Sequence, residues 1–207
     1  MAEFAFNAFV TLLVVIDPPG LAPIFAALTR GYPTKRKRET AIRGVFLGAA
    51  ILLVFAFVGN TLLDALGISL PAFRIAGGVL LFLVALDQIF ASPSGLNSRT
   101  VREQEQESYQ RDVSVFPLAI PLLAGPGAIT SVLLYTGGGS TAELAVFVFL
   151  LLLVLLLTLA SLLLASQVMR LLGETGAHVL TRVLGVLLAA LAVQFVLDGI
   201  QESFLPR

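Results

Sequence analysis

The chain has 207 residues, of which 57% are hydrophobic and 13% charged, with a mean hydropathy of +0.97. A soluble domain is about half apolar and about a quarter charged, and a domain this small keeps much of its surface in water. The apolar excess must therefore face lipid, which excludes disorder, a coiled coil, collagen and a disulfide-stapled secreted domain. Thirteen Lys+Arg balance thirteen Asp+Glu, so no net charge recruits nucleic acid. The absence of Cys and the single His, His178, exclude thiol chemistry and a His-cluster metal site.

A membrane-crossing helix needs about 20 mostly apolar residues. The first apolar stretch, 4–29, is interrupted by Asp17-Pro18-Pro19-Gly20, with Pro23 beyond. Residues 1–7 lack the basic start and small-residue cleavage site of a signal peptide and lead straight into this span. The second span is expected over 44–63. The third is expected over 71–90, with Arg74 near its start and Asp87 near its end. Residues 92–112, rich in Ser, Gln, Glu and Arg, read as a solvated tether.

The fourth apolar stretch, 113–141, is interrupted by Pro117, Pro121 and Gly125-Pro126-Gly127. Proline removes a donor and clashes with the preceding turn, so both interrupted helices should break. The fifth span covers 144–165 without a charge. The sixth lies within 177–200, with Arg182 and Asp198 placed like Arg74 and Asp87.

The halves echo each other. Phe9, Pro19, Gly20 and Thr29 match Phe116, Pro126, Gly127 and Thr136 at an offset of 107, and Arg74-Ile75-Ala76-Gly77 matches Arg182-Val183-Leu184-Gly185 at an offset of 108. Each half has three spans, an odd number, so the halves must enter the membrane in opposite senses. The expected architecture is an all-α integral membrane protein of six transmembrane helices in two inverted three-helix repeats. Helices one and four are broken. The organisation is 1–91, linker 92–112 and 113–207, one membrane domain overall. Eleven of the 13 Lys+Arg (Arg30, Lys35, Arg36, Lys37, Arg38, Arg43, Arg99, Arg102, Arg111, Arg170 and Arg182) fall on the linker side, against Arg74 and Arg207. Basic residues stay cytoplasmic, which places both termini outside a bacterial inner membrane.

Paired broken helices in inverted repeats characterise many secondary transporters. Lipid cannot satisfy the N–H and C=O groups freed at a break, so breaks line a cavity or are buried in protein. Asp17, Pro18, Pro19, Gly20, Gly125, Pro126 and Gly127 are thus the candidate solute-binding residues. Asp17 is the acid nearest the middle of an apolar span, a candidate proton carrier or ammonium ligand, and also a candidate cap for the helix that follows. Arg74 and Arg182 are candidate gating or ion-pairing residues, with Asp17, Asp87 or Asp198 as partners, unless they snorkel to the interface. Asp87 and Asp198 are expected to anchor at head groups. Gln194 is a further coupling candidate or an interhelical hydrogen-bonding residue, and Gly77, Gly78 and Gly185 should permit close helix packing. No Walker loop, nucleophile–His–acid set or metal cluster is spelled out, so neither catalysis nor a cofactor is expected.

The motif Ile16-Asp17-Pro18-Pro19-Gly20 with Pro23-Ile24-Phe25 resembles the first span of the MarC family of membrane proteins. So do residues 67–78, Pro121 with Ala124-Gly125-Pro126-Gly127, Met169-Arg170-Leu171-Leu172-Gly173, Arg182-Val183-Leu184-Gly185 and residues 193–200. The similarity covers essentially the whole chain. The resemblance implies transport of small neutral amino acids coupled to a cation gradient, because an archaeal member is described so. Members often carry Asn after the Gly of the first break, where this chain has Leu21. The expected function is a proton-coupled secondary transporter of small neutral solutes, with no nucleic-acid partner. A non-transporting scaffold or accessory subunit, and an exporter of small drugs or metabolites, are the alternatives.

Overall fold

Two short helices make the first span. In a computed structural model describing residues 1–90, 112–137 and 139–204, α1 (Ala2–Ile16) and α2 (Pro18–Leu28) meet at Asp17 and together form a 27-residue apolar stretch. Then come α3 (Thr34–Ala65), α4 (Leu70–Phe90), an irregular wide-turn segment (Ser114–Leu123), α5 (Pro126–Thr136), α6 (Thr141–Leu163) and α7 (Ala165–Phe204). Among the described residues there is no strand. Five stretches are long and apolar enough to cross a membrane, and the bent pair Ser114–Leu123 with Pro126–Thr136 allows a sixth. The chain is a multi-pass, all-helical integral membrane protein. The linker read over 92–112 lies outside the described residues except for Asp112, as do Arg207 and the side chains of Arg170 and His178.

Two helices run further than hydropathy indicates. The second begins at Thr34, ten residues before its apolar stretch, because Lys, Arg and Glu are good helix formers and nothing after Pro33 stops them. The last begins at Ala165 and is interrupted at Gly173, whose positive φ of 63° glycine tolerates; its membrane-length portion is Val179–Phe204.

Packing follows the small residues. On α3, Gly44 abuts Leu118, Gly48 abuts Leu123 and Gly59 abuts Leu133, so α3 runs parallel to the second broken span. Near the start of α6, Phe147 stacks on the Tyr135 ring that also touches Phe4, and near its end Ser161 reaches Pro18; α6 therefore runs parallel to the first broken span. Between α4 and α7 the direction reverses. Gly199 lies against Pro71 and Ile75, Gly78 against Ala192 and Val196, and Gly185 against Ala85, Gln88 and Ile89. These glycines bring the two backbones close, as expected for Gly78 and Gly185, while Gly77 gives the same room to Thr130.

The main core gathers Leu12, Ile16, Leu21, Leu52, Leu123, Val132, Phe147 and Leu151 around both breaks, and a smaller one joins Val14 to Leu81, Ala85, Leu188 and Ala192. Outside, Phe46, Phe57, Phe149 and Leu156 are exposed. So continuous an apolar exterior belongs against acyl chains.

Candidate functional site

Proline decides the first break. Pro18 and Pro19 have no N–H to give the carbonyls of Val14 and Val15, and Pro23 has none for Pro19. The chain turns at Asp17, which adopts the left-handed conformation at φ 47°, ψ 64°, a region Asp tolerates better than most residues. Asp17 N–H still donates to Leu13 O at 3.0 Å, closing α1, while its carboxylate Oδ1 accepts from Gly20 N–H at 3.0 Å, opening α2. Pro18 fills the first helical position, where no N–H is missed. Gly20 leaves room for this cap, because a Cβ there would displace the Asp17 carboxylate.

Two other spans complete this break. Ser161 Oγ of α6 donates to Pro18 O at 2.7 Å. Thr181 of α7 brings its hydroxyl into the neighbourhood of the Asp17 carboxyl group. Asp17 is only 7% exposed. The sequence places Asp17, Pro18, Pro19 and Gly20 together trivially. Ser161 and Thr181, far along the chain, were missed, and the only signal was a hydroxyl in an otherwise apolar helix.

The second break is built differently. Residues preceding proline are pushed towards extended backbone, and Phe116 (φ −135°, ψ 122°) and Ile120 (φ −130°, ψ 124°) take it before Pro117 and Pro121. Ala124 N–H closes a wide turn onto Ala119 O at 2.9 Å. The chain then bends by 53° into α5, entered through extended Gly125 with Pro126 at the first helical position. Gly125 carries no side chain to cap this end, whereas Asp17 caps α2. The N–H groups of Gly127 and Ala128 thus belong to an uncapped helix start, where partial positive charge collects.

The two breaks lie side by side. A Cβ on Gly127 would sit 3.4 Å from Val15, in the last turn of α1, and 2.8 Å from Leu81. Towards the N-terminus of α1, Tyr135 of α5 packs beside the first span. Its hydroxyl pairs with Thr11 Oγ1 at 3.0 Å, and its ring meets Phe4 at 5.7 Å, Phe147 at 5.6 Å and Phe195 at 6.5 Å. This hub joins four spans and was not singled out from sequence, because one Tyr among Phe and Leu carries no local signature.

The remaining candidates sit away from the breaks. Arg74 pairs with Glu202, not with Asp17, Asp87 or Asp198, because antiparallel packing sets the start of α4 beside the end of α7. Arg182 is exposed on α7. Gln194 donates Nε2 to Asp198 Oδ1 at 2.7 Å along one exposed face of α7, so the bond is within a helix, not between helices. Asp87, near the end of α4, has both carboxylate oxygens buried.

A family model described as MarC family integral membrane protein matches residues 2–204. The chain belongs to the MarC family. Among its relatives, a UPF0056 membrane protein of Archaeoglobus fulgidus is 36% identical over 97% of this chain and 94% of its own length. In Escherichia coli, the UPF0056 inner membrane protein YhgN is 35% identical over 94% of this chain and 95% of its own, and the UPF0056 membrane protein YhcE is 33% identical over 96% and 93%. No solved structure matches this MarC-family chain.

Proposed function

We propose that this MarC-family chain is a secondary transporter of small neutral solutes, with neutral amino acids as the leading class and a proton gradient as the driving force. The observation that carries the reading is the side-by-side placement of two buried helix breaks with opposite electrostatic character. At one, a carboxylate already occupies the helix start. At the other, the helix start is uncapped. A zwitterion is complementary to that pair: its carboxylate suits the N–H groups of Gly127 and Ala128, and its ammonium suits Asp17. Pro18, Pro19, Gly20, Gly125 and Pro126 shape the walls. We assign the chain no catalytic chemistry.

In this reading 1–91 and 113–207 are inverted repeats joined by a cytoplasmic linker. The packing supports it, because each broken span runs parallel to the plain span of the other half, and the third spans pack antiparallel. An exchange of this kind is what a twofold axis in the membrane plane generates. Asp112 is drawn to Arg36 and Arg43, which sets the linker's end beside the basic start of α3 and favours that face as cytoplasmic. The Tyr135 hub then closes the outer side.

The direct experiment is uptake by purified protein in liposomes, with a panel of amino acids under an imposed pH gradient. Saturable accumulation of small neutral members is expected. Absence of flux for every solute would leave the scaffold reading, and preference for large apolar compounds would favour the exporter.

A further inference from the structure

We infer that the basic start of α3 is a binding site for the head group of an anionic phospholipid, with Lys35 and Arg38 as its outward contacts. Helix α3 has 32 residues. At 1.5 Å per residue it is about 48 Å long, some 18 Å more than the hydrocarbon core of a bilayer. The excess lies at its N-terminal end, where residues 34–43 hold Lys35, Arg36, Lys37, Arg38 and Arg43 against one acid, Glu39.

The helix is unbroken, so side-chain directions in its apolar part extend into its basic part. Lys35, Ile42 and Phe46 lie on one stripe, at steps of seven and then four residues, with Arg38 at its edge. Ile42 is 43% exposed and Phe46 72% exposed. Large apolar side chains at that depth meet acyl chains. Lys35, about 10 Å further along the axis from Ile42, and Arg38, about 6 Å along, therefore lie over the same lipid at head-group level.

Two of the other basic residues are engaged elsewhere. Arg36 stacks on Tyr32 at 4.2 Å, and Arg36 and Arg43 both attract Asp112. Lys35 and Arg38 are exposed and draw no ion pair among the described residues. Together they offer the planar fork of an Arg and the mobile ammonium of a Lys to one phosphodiester, while Ile42 and Phe46 seat its tails. That seat selects a lipid over a free phosphate ion.

The test is native mass spectrometry of the full chain in mixed micelles containing equal phosphatidylglycerol and phosphatidylcholine. Bound phosphatidylglycerol should predominate. Neutralising both residues (Lys35→Gln with Arg38→Gln) should cut that preference roughly thirtyfold, from the attraction each basic residue near an acidic surface supplies. The charge-keeping pair Lys35→Arg with Arg38→Lys should retain it. Equal binding of the two lipids by the unaltered chain, a preference surviving neutralisation, or displacement of the lipid by inorganic phosphate overturns the inference.

Discussion

Asp17 closes one helix and opens the next from a single position, which ties the break to one neighbour above all, Gly20. Gly20→Ala should push the carboxylate out of its cap and cost about 1–2 kcal/mol, the value of a lost N-cap, read as a lower melting temperature in detergent. Asn also caps helices, so Asp17→Asn should melt close to the unaltered chain. At the aqueous end, Asp112 accepts from Ser114 N–H at 3.1 Å and from Ser114 Oγ at 2.6 Å. The Ser114 hydroxyl, chiefly, and the charges of Arg43 and Arg36 hold the Asp112 carboxyl below its ordinary value of 3.8. A depressed folded value means stability present above the ordinary carboxylate range and lost as pH falls through the folded one. The melting-temperature gap between Asp112→Asn and the unaltered chain should therefore be present at pH 7 and shrink below about pH 4.

Among the elements, the broken spans were the most legible in sequence. Asp17-Pro18-Pro19-Gly20 and Gly125-Pro126-Gly127 announce missing donors and an awkward backbone, and these are local properties that sequence records directly. Partners across the bundle were not legible. Ser161, Thr181 and Tyr135 become meaningful only once α6, α7 and α5 are packed, and the same tertiary fact sends Arg74 to Glu202. The start of α3 escaped notice because hydropathy marks where a helix is apolar and not where it is helical. Tyr135 tests the hub these packed elements form. Tyr135→Phe keeps the rings and loses the Thr11 bond, for about 1 kcal/mol, whereas Tyr135→Ala removes a ring shared by four spans and should cost about 3–5 kcal/mol. Equal, small effects on thermal melting would show that the rings contribute little to closing this side.

On the scale of the whole molecule, the broken spans run parallel to α3 and α6 while α4 and α7 pack antiparallel, which is the arrangement the proposed inverted repeats require. The proposed orientation in the membrane rests on charge, and a chain without Cys permits a clean test. A membrane-impermeant thiol reagent should label Ser203→Cys in intact cells and reach Lys35→Cys only after the membrane is opened. The reverse pattern would invert the topology without disturbing the fold. Two adjoining breaks make sense in a transporter only if the solute passes between them and an ion drives it, since a zwitterion carries no net charge. Asp17 is the buried acid at that place. The decisive measurement compares unaltered and Asp17→Asn protein in liposomes under a pH gradient. Loss of amino-acid accumulation, with solute exchange and melting temperature preserved, is the expected result; pH-driven accumulation equal to that of the unaltered chain would contradict the coupling role and leave Asp17 as a helix cap.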